Sequence, residues 1–392
     1  MNGHPVTAGT GTADADDISG AVAQLCARFD DIYWREVDSK KAYPKEFVDA
    51  LTEAGWLSIL IPEEYGGGGL GLSEASLVLE EINFSGGNGA ACHAQMYTMA
   101  ALLRHGSEEQ KQTYLPEIAR GALRMQAFGV TEPDAGSDTT RIRTMAKRVD
   151  GGWVVNGQKI WTSRVQHSDL LLLLARTTPL AEVTRPVDGL SLFLVDLRTA
   201  GDAVTARPID TMLNHETNEV FIKDLFVPQD ALVGVEGNGL RQVFDGMNAE
   251  RILLSAECIG DGRWFVKRAS EYASTRQVFG RAIGANQGVQ FPIARAYAAV
   301  TAATLVQRDA AQRFDAGLPC GAQANMAKLL CSEASWQAAD TAMDCFGGYA
   351  FATEYDIERK FRETRLYKNA PISNNLVLAF LGHHVLSMPK SY

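Results

Sequence analysis

Apolar residues recur every three or four positions through the first third of the chain, a spacing that predicts amphipathic helices. Glycine, proline and serine separate the helical stretches, and Ser107 followed by Glu108 and Glu109 has the chemistry of a helix start. The predicted helices cover residues 18–37, 47–57, 75–84, 90–103 and 108–119. We therefore expect residues 18–123 to form an N-terminal helical domain.

From Met125 onward the pattern changes to alternation and to short apolar runs between Gly, Asp, Asn and Pro. A period of two is typical of β-strands, so residues 124–233 are expected to form a β domain. The strands are predicted at residues 153–155, 170–174, 190–194, 204–208 and 220–227. The helical period then returns, and it predicts long helices at residues 240–275, 287–316, 322–346, 354–366 and 373–386. Residues 234–392 should therefore form a second helical domain, which makes the fold class α+β with several domains.

Composition narrows the classes of function. The 392 residues carry a net charge of −10, which argues against a nucleic-acid partner because a phosphate backbone calls for a basic face. The six cysteines are scattered and form no C-x-x-C pair, so neither a metal site nor a disulfide framework is predicted. A reducing, cytoplasmic compartment fits this cysteine usage best.

No targeting or membrane segment is predicted. Residues 1–17 are polar and acidic, without the basic start and apolar core of a signal peptide, and are expected to be a disordered leader. The longest conspicuous apolar run, at residues 170–175, is far below the ~20 residues that span a bilayer. We therefore expect no membrane insertion.

Residues 125–163 carry more turn and hydroxyl chemistry than any other stretch of the chain. A Thr-Glu-Pro-Asp-Ala-Gly-Ser-Asp loop at residues 131–138 is followed by Gly-Gln-Lys-Ile-Trp at residues 157–161. Together they closely resemble the flavin-contacting motif of the acyl-CoA dehydrogenases. The order of the predicted domains, helical, β and helical, is also that of this family. The resemblance implies a barrel-like middle domain, a C-terminal domain like a four-helix bundle, and bound FAD.

The resemblance assigns roles around the flavin ring. Trp161 would form an aromatic wall against it, and Thr131 and Ser163 would hydrogen-bond its edge. Gln126 would be a further cofactor contact, and Ser137 would lie along the pantetheine of the CoA substrate. On its own, Trp161 would more often be a core residue of the β domain, and only its place in the motif favours the flavin.

Two further motifs would contact the adenosine half of FAD across a subunit boundary. Arg276, Phe279 and Gln287 match a family motif that reaches the FAD of a neighbouring subunit, and an arginine suits phosphate oxygens. The resemblance therefore implies a homotetramer, or a homodimer, with shared FAD sites. Without these neighbours, Arg276 would be read as an exposed cation near a helix end.

The second adenosine motif is only partly kept. Gly347 and Gly348 match its glycine pair, which lets the backbone approach the cofactor, and Ser373 would be another contact. Asp344, however, stands where the family has Gln, and a carboxylate near a pyrophosphate is mildly unfavourable. The adenosine contact is therefore expected to be weaker or different here.

The catalytic base is predicted from two positions together. Many family members use a glutamate near the carboxyl terminus, but this chain has Pro371 at that position. The isovaleryl-CoA and long-chain enzymes carry the base on the first helix of the C-terminal domain, and this chain has Glu250 followed by Arg251 there. Glu250 is thus the candidate base, with Asn248 and Arg251 as substrate contacts. By pattern alone, a Glu-Arg pair on a helix is more often a solvated face.

The resemblance implies FAD-dependent dehydrogenation of an acyl-CoA, with electrons passed to an electron-transferring flavoprotein. Proline has no N–H, so it lacks the donor that family members aim at the thioester carbonyl. Either a neighbour such as the N–H of Ile372 takes over, or the α-proton of the substrate is already more acidic, or the chain is not a standard dehydrogenase. Pro371 and Asp344 also keep two alternatives open. One is another flavoenzyme reaction on the same fold, such as that of a monooxygenase, a nitroalkane oxidase or a desulfinase. The other is a non-catalytic subunit of a hetero-oligomer.

Overall fold

The computed structural model describes residues 12–390 as helices on either side of a β-sheet. The helices are α1 (Thr12–Cys26), α2 (Asp31–Ser39), α3 (Lys45–Glu53), α4 (Leu72–Phe84), α5 (His93–His105), α6 (Glu108–Ala119), α7 (Leu197–Ala200), α8 (Gly239–Thr275), α9 (Gln287–Asp315), α10 (Gly321–Phe346), α11 (Ile357–Arg365) and α12 (Asn374–Phe380). The strands are β1 (Ala127–Gly129), β2 (Met145–Val149), β3 (Gly152–Ser163), β4 (Leu170–Arg176), β5 (Leu190–Asp196), β6 (Val204–Pro208), β7 (Thr217–Pro228), β8 (Leu232–Val233), β9 (Gln277–Val278) and β10 (Arg281–Ala282). The predicted α+β class with a helical, a β and a second helical domain is confirmed.

The N-terminal helices depart from the predicted boundaries in two places. Helix α1 begins at Thr12, so the last part of the predicted leader is helical; residues 1–11 lie outside the described residues. Acidic residues such as Asp16 and Asp17 favour an early helix position. The single helix predicted at residues 18–37 is two helices, because the Asp30 side chain accepts a hydrogen bond from the Tyr33 N–H at 3.0 Å and starts α2.

The β domain is one mixed sheet with the order β6-β7-β3-β2-β4-β5-β8, and β1 pairs with β4. Strand β4, with the sequence Leu-Leu-Leu-Leu-Leu-Ala-Arg, is buried along its whole length. Its alternate side chains belong to two different cores: Leu170, Leu172 and Leu174 pack with helices α5, α6 and α8, while Leu171 and Leu173 face the other side of the sheet. Burial on both faces explains why this strand has a continuous apolar run instead of alternation.

The C-terminal domain is organised around α8, a helix of 37 residues that packs against α4, α5, α9 and α10. The predicted helices at residues 240–275, 287–316 and 322–346 match α8, α9 and α10 within one residue at each end. The last predicted helix is shorter than expected. Helix α12 ends at Phe380 and continues as one π turn, Leu381–Val385.

A buried charged network joins the two helical domains. The Lys360 ammonium on α11 lies 2.6 Å from Asp261 on α8, and both side chains are fully buried. Asn83, on α4 of the N-terminal domain, donates a hydrogen bond to Asp261 at 2.9 Å. Lys360 also donates to the Gly87 carbonyl of the N-terminal domain at 2.7 Å. Burial raises the pKa of Asp261 to about 6, and the charge of Lys360 opposes that rise. The network therefore fixes α4, α8 and α11 relative to one another.

We expect Lys360→Met to lower the free energy of unfolding by about 3–5 kcal/mol, because Asp261 would stay buried without its cation. Urea denaturation of the purified protein measures this change. The control is Lys40→Met, since Lys40 is exposed and pairs with Glu36 one turn away. It should change the free energy by less than about 1 kcal/mol. Equal effects of the two changes would show that the buried network does not stabilise the fold.

Candidate active site

Strand β3 places Trp161 on the surface through a β-bulge. The pairing of β3 with β7 shifts register between Lys159 and Thr162, and Trp161 lies inside this irregularity. Its φ angle is 62°, in the left-handed region that side chains other than glycine rarely adopt. Consequently the indole points outward and is 56% exposed, so Trp161 is not the core residue that its composition alone would suggest.

A buried ion pair holds the 131–138 loop against β3. The Lys159 ammonium lies 2.8 Å from a Glu132 oxygen, and the same carboxylate accepts the backbone N–H groups of Arg143 and Thr144. Burial lowers the pKa of Lys159 to about 8, a fall that the charge of Glu132 limits. Both groups are therefore charged at neutral pH. Glu132 and Lys159, which are part of the sequence motif, thus serve to fix the loop.

The predicted ring contacts lie on this loop and at the end of β3. Thr131 and Ser163 are partly exposed, Ser137 is exposed, and within residues 12–390 none of the three hydroxyls has a hydrogen-bond partner. Gln126 is different: it is buried, and its side-chain amide donates to the Tyr43 hydroxyl at 2.9 Å. Its other amide atom, Oε1, is buried without a partner in the described part of the chain. Gln126 remains a predicted contact.

The residues predicted to reach a second subunit are exposed at one end of the C-terminal domain. Phe279, at the turn of the β9–β10 hairpin, is fully exposed with a φ of 52°. The Arg276 guanidinium lies 5.5 Å from the centre of the Tyr349 ring. Gln287, Asp344, Gly347 and Gly348 are exposed as well. A Cβ added to either glycine would meet no atom within 4 Å, so the space beside the 347–348 backbone is open.

Glu250 is partly buried on α8, and no cation of residues 15–390 comes within 4.0 Å of its carboxylate. Burial raises its pKa to about 7, and the nearby charges of His93 and Arg251 and the hydroxyl of Tyr97 only partly oppose the rise. The Arg251 guanidinium donates to the Asn248 side chain at 3.2 Å. Glu250 and Arg251 are each partly exposed, so they do not form a fully solvated face.

Pro371 belongs to a segment that a buried lysine holds in place. The Lys328 ammonium donates to the Ile372 carbonyl at 2.7 Å and to the Asn374 side chain at 2.6 Å. Burial lowers the pKa of Lys328 to about 8, and the charge of Arg251 contributes to that decrease. Arg251 therefore lies within electrostatic range of Lys328. Ser373 begins α12, where its hydroxyl accepts the Leu376 N–H at 3.3 Å.

Three further residues surround Glu250 that the sequence pattern did not single out. His93 on α5 lies 2.6 Å from Glu257 through Nδ1, and both side chains are buried. Tyr97, one turn after His93, is partly buried, and its hydroxyl lies close enough to Glu250 for the two groups to affect each other's pKa. The sequence did contain a hint of this cluster, because Glu250 and Glu257 are seven residues apart and so share one face of α8. His93 and Tyr97 are likewise four residues apart on α5.

Comparison with known proteins matches the whole described architecture. Family models match residues 12–122 (acyl-CoA dehydrogenase, N-terminal domain), 127–225 (middle domain) and 237–370 (C-terminal domain). Acyl-CoA dehydrogenase FadE12 of Mycobacterium tuberculosis is 36% identical over 379 residues, which is 95% of this chain and 96% of that protein. Cyclohex-1-ene-1-carbonyl-CoA dehydrogenase of Syntrophus aciditrophicus is 30% identical over 354 residues, 90% of this chain and 84% of that protein.

Solved structures give the same result. A glutaryl-coenzyme A dehydrogenase in complex with glutaryl-CoA superimposes with a TM-score of 0.91 at 29% identity, covering 98% of each chain. PigA with FAD and proline superimposes with a TM-score of 0.89 at 25% identity, covering 97% of this chain and 100% of PigA. The protein is therefore a member of the acyl-CoA dehydrogenase family, and it is an oxidoreductase of the class that acts on the CH–CH bond of acyl-CoA.

Proposed function

We propose that this protein is an FAD-dependent acyl-CoA dehydrogenase in which Glu250 removes the α-proton of the thioester. The observation that carries this proposal is the state of Glu250. It is a partly buried carboxylate with no ion-pair partner within 4.0 Å among residues 15–390, and the loss of solvent around it raises its pKa to about 7. A general base is most effective when its pKa lies near the working pH. Two other carboxylates of α8 are, in contrast, paired: Glu257 with His93 and Asp261 with Lys360.

The residues around Trp161 fit a flavin. An outward-facing indole offers a flat apolar wall, and the unpaired hydroxyls of Thr131 and Ser163 stand on either side of it in the sequence motif. The open backbone at Gly347 and the Arg276 guanidinium suit a diphosphate-linked adenosine. When bound, FAD supplies a two-electron acceptor for the β-hydride. Ser137 would then contact the CoA part of the substrate.

The carbonyl of the thioester needs a hydrogen-bond donor while the α-proton leaves, because negative charge develops on its oxygen. Pro371 offers none. The N–H of Ile372, the next residue, has no acceptor within residues 12–390, and Lys328 fixes the same residue through its carbonyl. We therefore assign the missing donor to Ile372. This assignment removes the main objection to an acyl-CoA dehydrogenase without a C-terminal glutamate.

The exposed face of α9 supports an oligomer. Phe291, Tyr297 and Leu305 are 53%, 62% and 70% exposed along this helix. By length and mean hydropathy alone α9 could cross a membrane, but its opposite face packs in the helical domain through Ile293, Ala296 and other residues. A second copy of the chain would cover the exposed face and bring its own Phe279 and Arg276 to a neighbouring site. We propose a homotetramer, or a homodimer, on this basis.

The proposal also includes an electron acceptor and a cellular compartment. The electrons taken from the substrate must leave the enzyme, and an electron-transferring flavoprotein is the proposed acceptor. None of the six cysteines forms a disulfide, which supports a reducing, cytoplasmic compartment.

Glu250→Gln should leave flavin bound and abolish bleaching of the flavin when an acyl-CoA is added without oxygen, because an amide cannot accept the α-proton. The visible spectrum of the anaerobic enzyme measures both properties. Asp245→Asn is the matched control, since Asp245 lies on the same helix but is exposed. It should bleach like the unchanged protein. If the flavin of Glu250→Gln still bleaches, another residue must be the base. If no thioester bleaches the flavin of the protein without substitutions, acyl-CoA dehydrogenation is refuted.

The rate of flavin reduction by a fixed thioester should rise with pH and level off above a midpoint of about 7, the pKa of Glu250. The direction follows because only the ionised carboxylate accepts a proton. Stopped-flow absorbance between pH 5.5 and 8.5 measures this profile. A rate that is constant over this range would contradict the assignment of Glu250 as the titrating base.

Leu305→Asp should shift the protein to a smaller assembly and lower its flavin content, because it places a charge in the proposed apolar interface and the FAD site is shared. Light scattering after size exclusion and the ratio of absorbance at 450 and 280 nm measure the two effects. Leu180→Asp, at an exposed position of the β domain, is the control. Loss of the assembly with full flavin content would show that the site is not shared.

A further inference from the structure

Arg176 is a buried cation at the end of an otherwise apolar strand. It is the last residue of β4, it is only 2% exposed, and the rest of the strand is leucine and alanine. Its guanidinium has five N–H donors, and five backbone carbonyls accept hydrogen bonds from it. The acceptors are Thr140 at 2.6 Å, Ile142 and Asp188 at 3.3 Å, and Thr178 and Pro186 at 3.4 Å. Peptide carbonyls therefore stabilise this buried charge.

These carbonyls belong to two separate loops. Thr140 and Ile142 lie in residues 139–144, which connect the 131–138 loop to β2, and the other three lie in residues 177–189, which connect β4 to β5. A buried carbonyl without a donor costs free energy, and an irregular segment has no regular ladder to provide one. Arg176 supplies donors to both loops and thereby fastens them to the end of a buried strand.

Residues 140–144 are also held through their N–H groups. The Glu132 carboxylate accepts the Arg143 and Thr144 N–H groups at 2.6 and 2.9 Å. The Arg176 side chain binds the carbonyls of residues 140 and 142, and its backbone N–H donates to the Thr144 carbonyl at 2.8 Å. One buried anion and one buried cation therefore fix the same short segment.

The position of Ser137 depends on this anchoring. Ser137 lies between Glu132 and the fixed segment, its side chain is exposed, and its hydroxyl has no hydrogen-bond partner within residues 12–390. Its place is thus set by the backbone on either side of it. If residues 139–144 were released, Ser137 would sample many positions, and ordering the loop again would cost free energy when a ligand binds.

We propose that Arg176 is a positioning residue for the CoA part of the substrate, because it holds the 131–138 loop so that Ser137 meets the pantetheine in a fixed place. This inference rests on the proposed function, which assigns Ser137 to the CoA. An arginine is suited to the role since its planar fork presents five donors in fixed directions, whereas a lysine ammonium has three donors on a flexible stem. Arg176 acts through Ser137 and has no part in the proton transfer.

Binding of CoA to the holoenzyme, measured by isothermal titration calorimetry, examines this role without an acyl group and without turnover. Ser137→Ala should raise the Kd of CoA by about fivefold, because one neutral hydrogen bond is lost. Arg176→Gln should raise it by about tenfold, since the loop must then be ordered on binding. Arg198→Gln is the matched control, because Arg198 is an exposed arginine just after β5 that pairs with Asp196. It should change the Kd by less than about twofold.

The double variant separates positioning from general stabilisation. If Arg176 acts through Ser137, Ser137→Ala should raise the Kd by less than about twofold in the Arg176→Gln background. The same fivefold effect in both backgrounds would show that the two residues act independently, and it would overturn the inference. Should Arg176→Gln not fold, the comparison is made with Arg176→Lys. The effect of Ser137→Ala should then fall below about threefold, and an undiminished effect is the contrary result.

Release of the loop can also be measured directly by limited proteolysis. Arg141 and Arg143 have exposed side chains, and trypsin cleaves after them only when the backbone around them is mobile. Arg176→Lys should speed cleavage at these two sites by about tenfold or more and leave cleavage after the exposed Arg120 unchanged. An equal increase at all three sites would mean that the whole fold is destabilised, which contradicts a local role for Arg176.

The outcomes distinguish this inference from the proposed function. If CoA binding follows the expected pattern but no acyl-CoA reduces the flavin, the role of Arg176 stands and dehydrogenation is refuted. If an acyl-CoA reduces the flavin but the Kd of CoA is the same in every variant, dehydrogenation stands and the role of Arg176 is refuted. A protein without substitutions that does not bind CoA also overturns the inference.

Discussion

Helix α8 passes through the middle of the molecule and carries three carboxylates inside it, and the rest of the structure has to accommodate them. Glu250, Glu257 and Asp261 lie on one side of this helix, seven and four residues apart. Glu257 and Asp261 are fully removed from water and Glu250 is partly removed, although an ionised carboxylate is favourable in water. Asp261 meets Lys360 and Asn83, and Glu257 meets His93. Glu250 alone has no close cation among residues 15–390 and keeps a raised pKa. One constraint thus produces two structural pairs and the one unpaired carboxylate that we propose as the base.

The pairing of these carboxylates also explains how the site is assembled from distant parts of the chain. His93 and Tyr97 come from the first helical domain, Ser137 and Trp161 from the β domain, and Glu250 from the second helical domain. No single domain contains all of the predicted site residues. The sheet contributes rigidity, because β4 is buried on both faces and β3 is fastened by the Lys159–Glu132 pair. The helices contribute the acid–base groups, since their long buried faces can hold charges away from solvent.

Much of this arrangement follows from local sequence. Hydrophobic period alone predicts α8, α9 and α10 within one residue at each end, because long amphipathic helices carry many periodic positions. It fails where a single side chain decides, as at Asp30, whose carboxylate starts a second helix inside a predicted one. The site shows the same division. Trp161 and Glu250 are predicted through the family resemblance, whereas the outward position of Trp161 is not, because it depends on a β-bulge that becomes visible only in three dimensions.

The network around Asp261 has a consequence for exchanging parts between related proteins. Its members come from α4, α8 and α11, so the first and last domains share one set of buried charges, although the β domain separates them in sequence. A hybrid that joins the N-terminal helices of one parent to the C-terminal helices of another would mix halves of this set. The β domain is joined to the helices through the apolar core that contains Leu170 and Leu172 and through hydrogen bonds to backbone carbonyls, such as that of Asn214 with Ala42, which do not depend on the partner's side chain. Recombination should therefore succeed when the sheet is replaced as a cassette and both helical domains are inherited together.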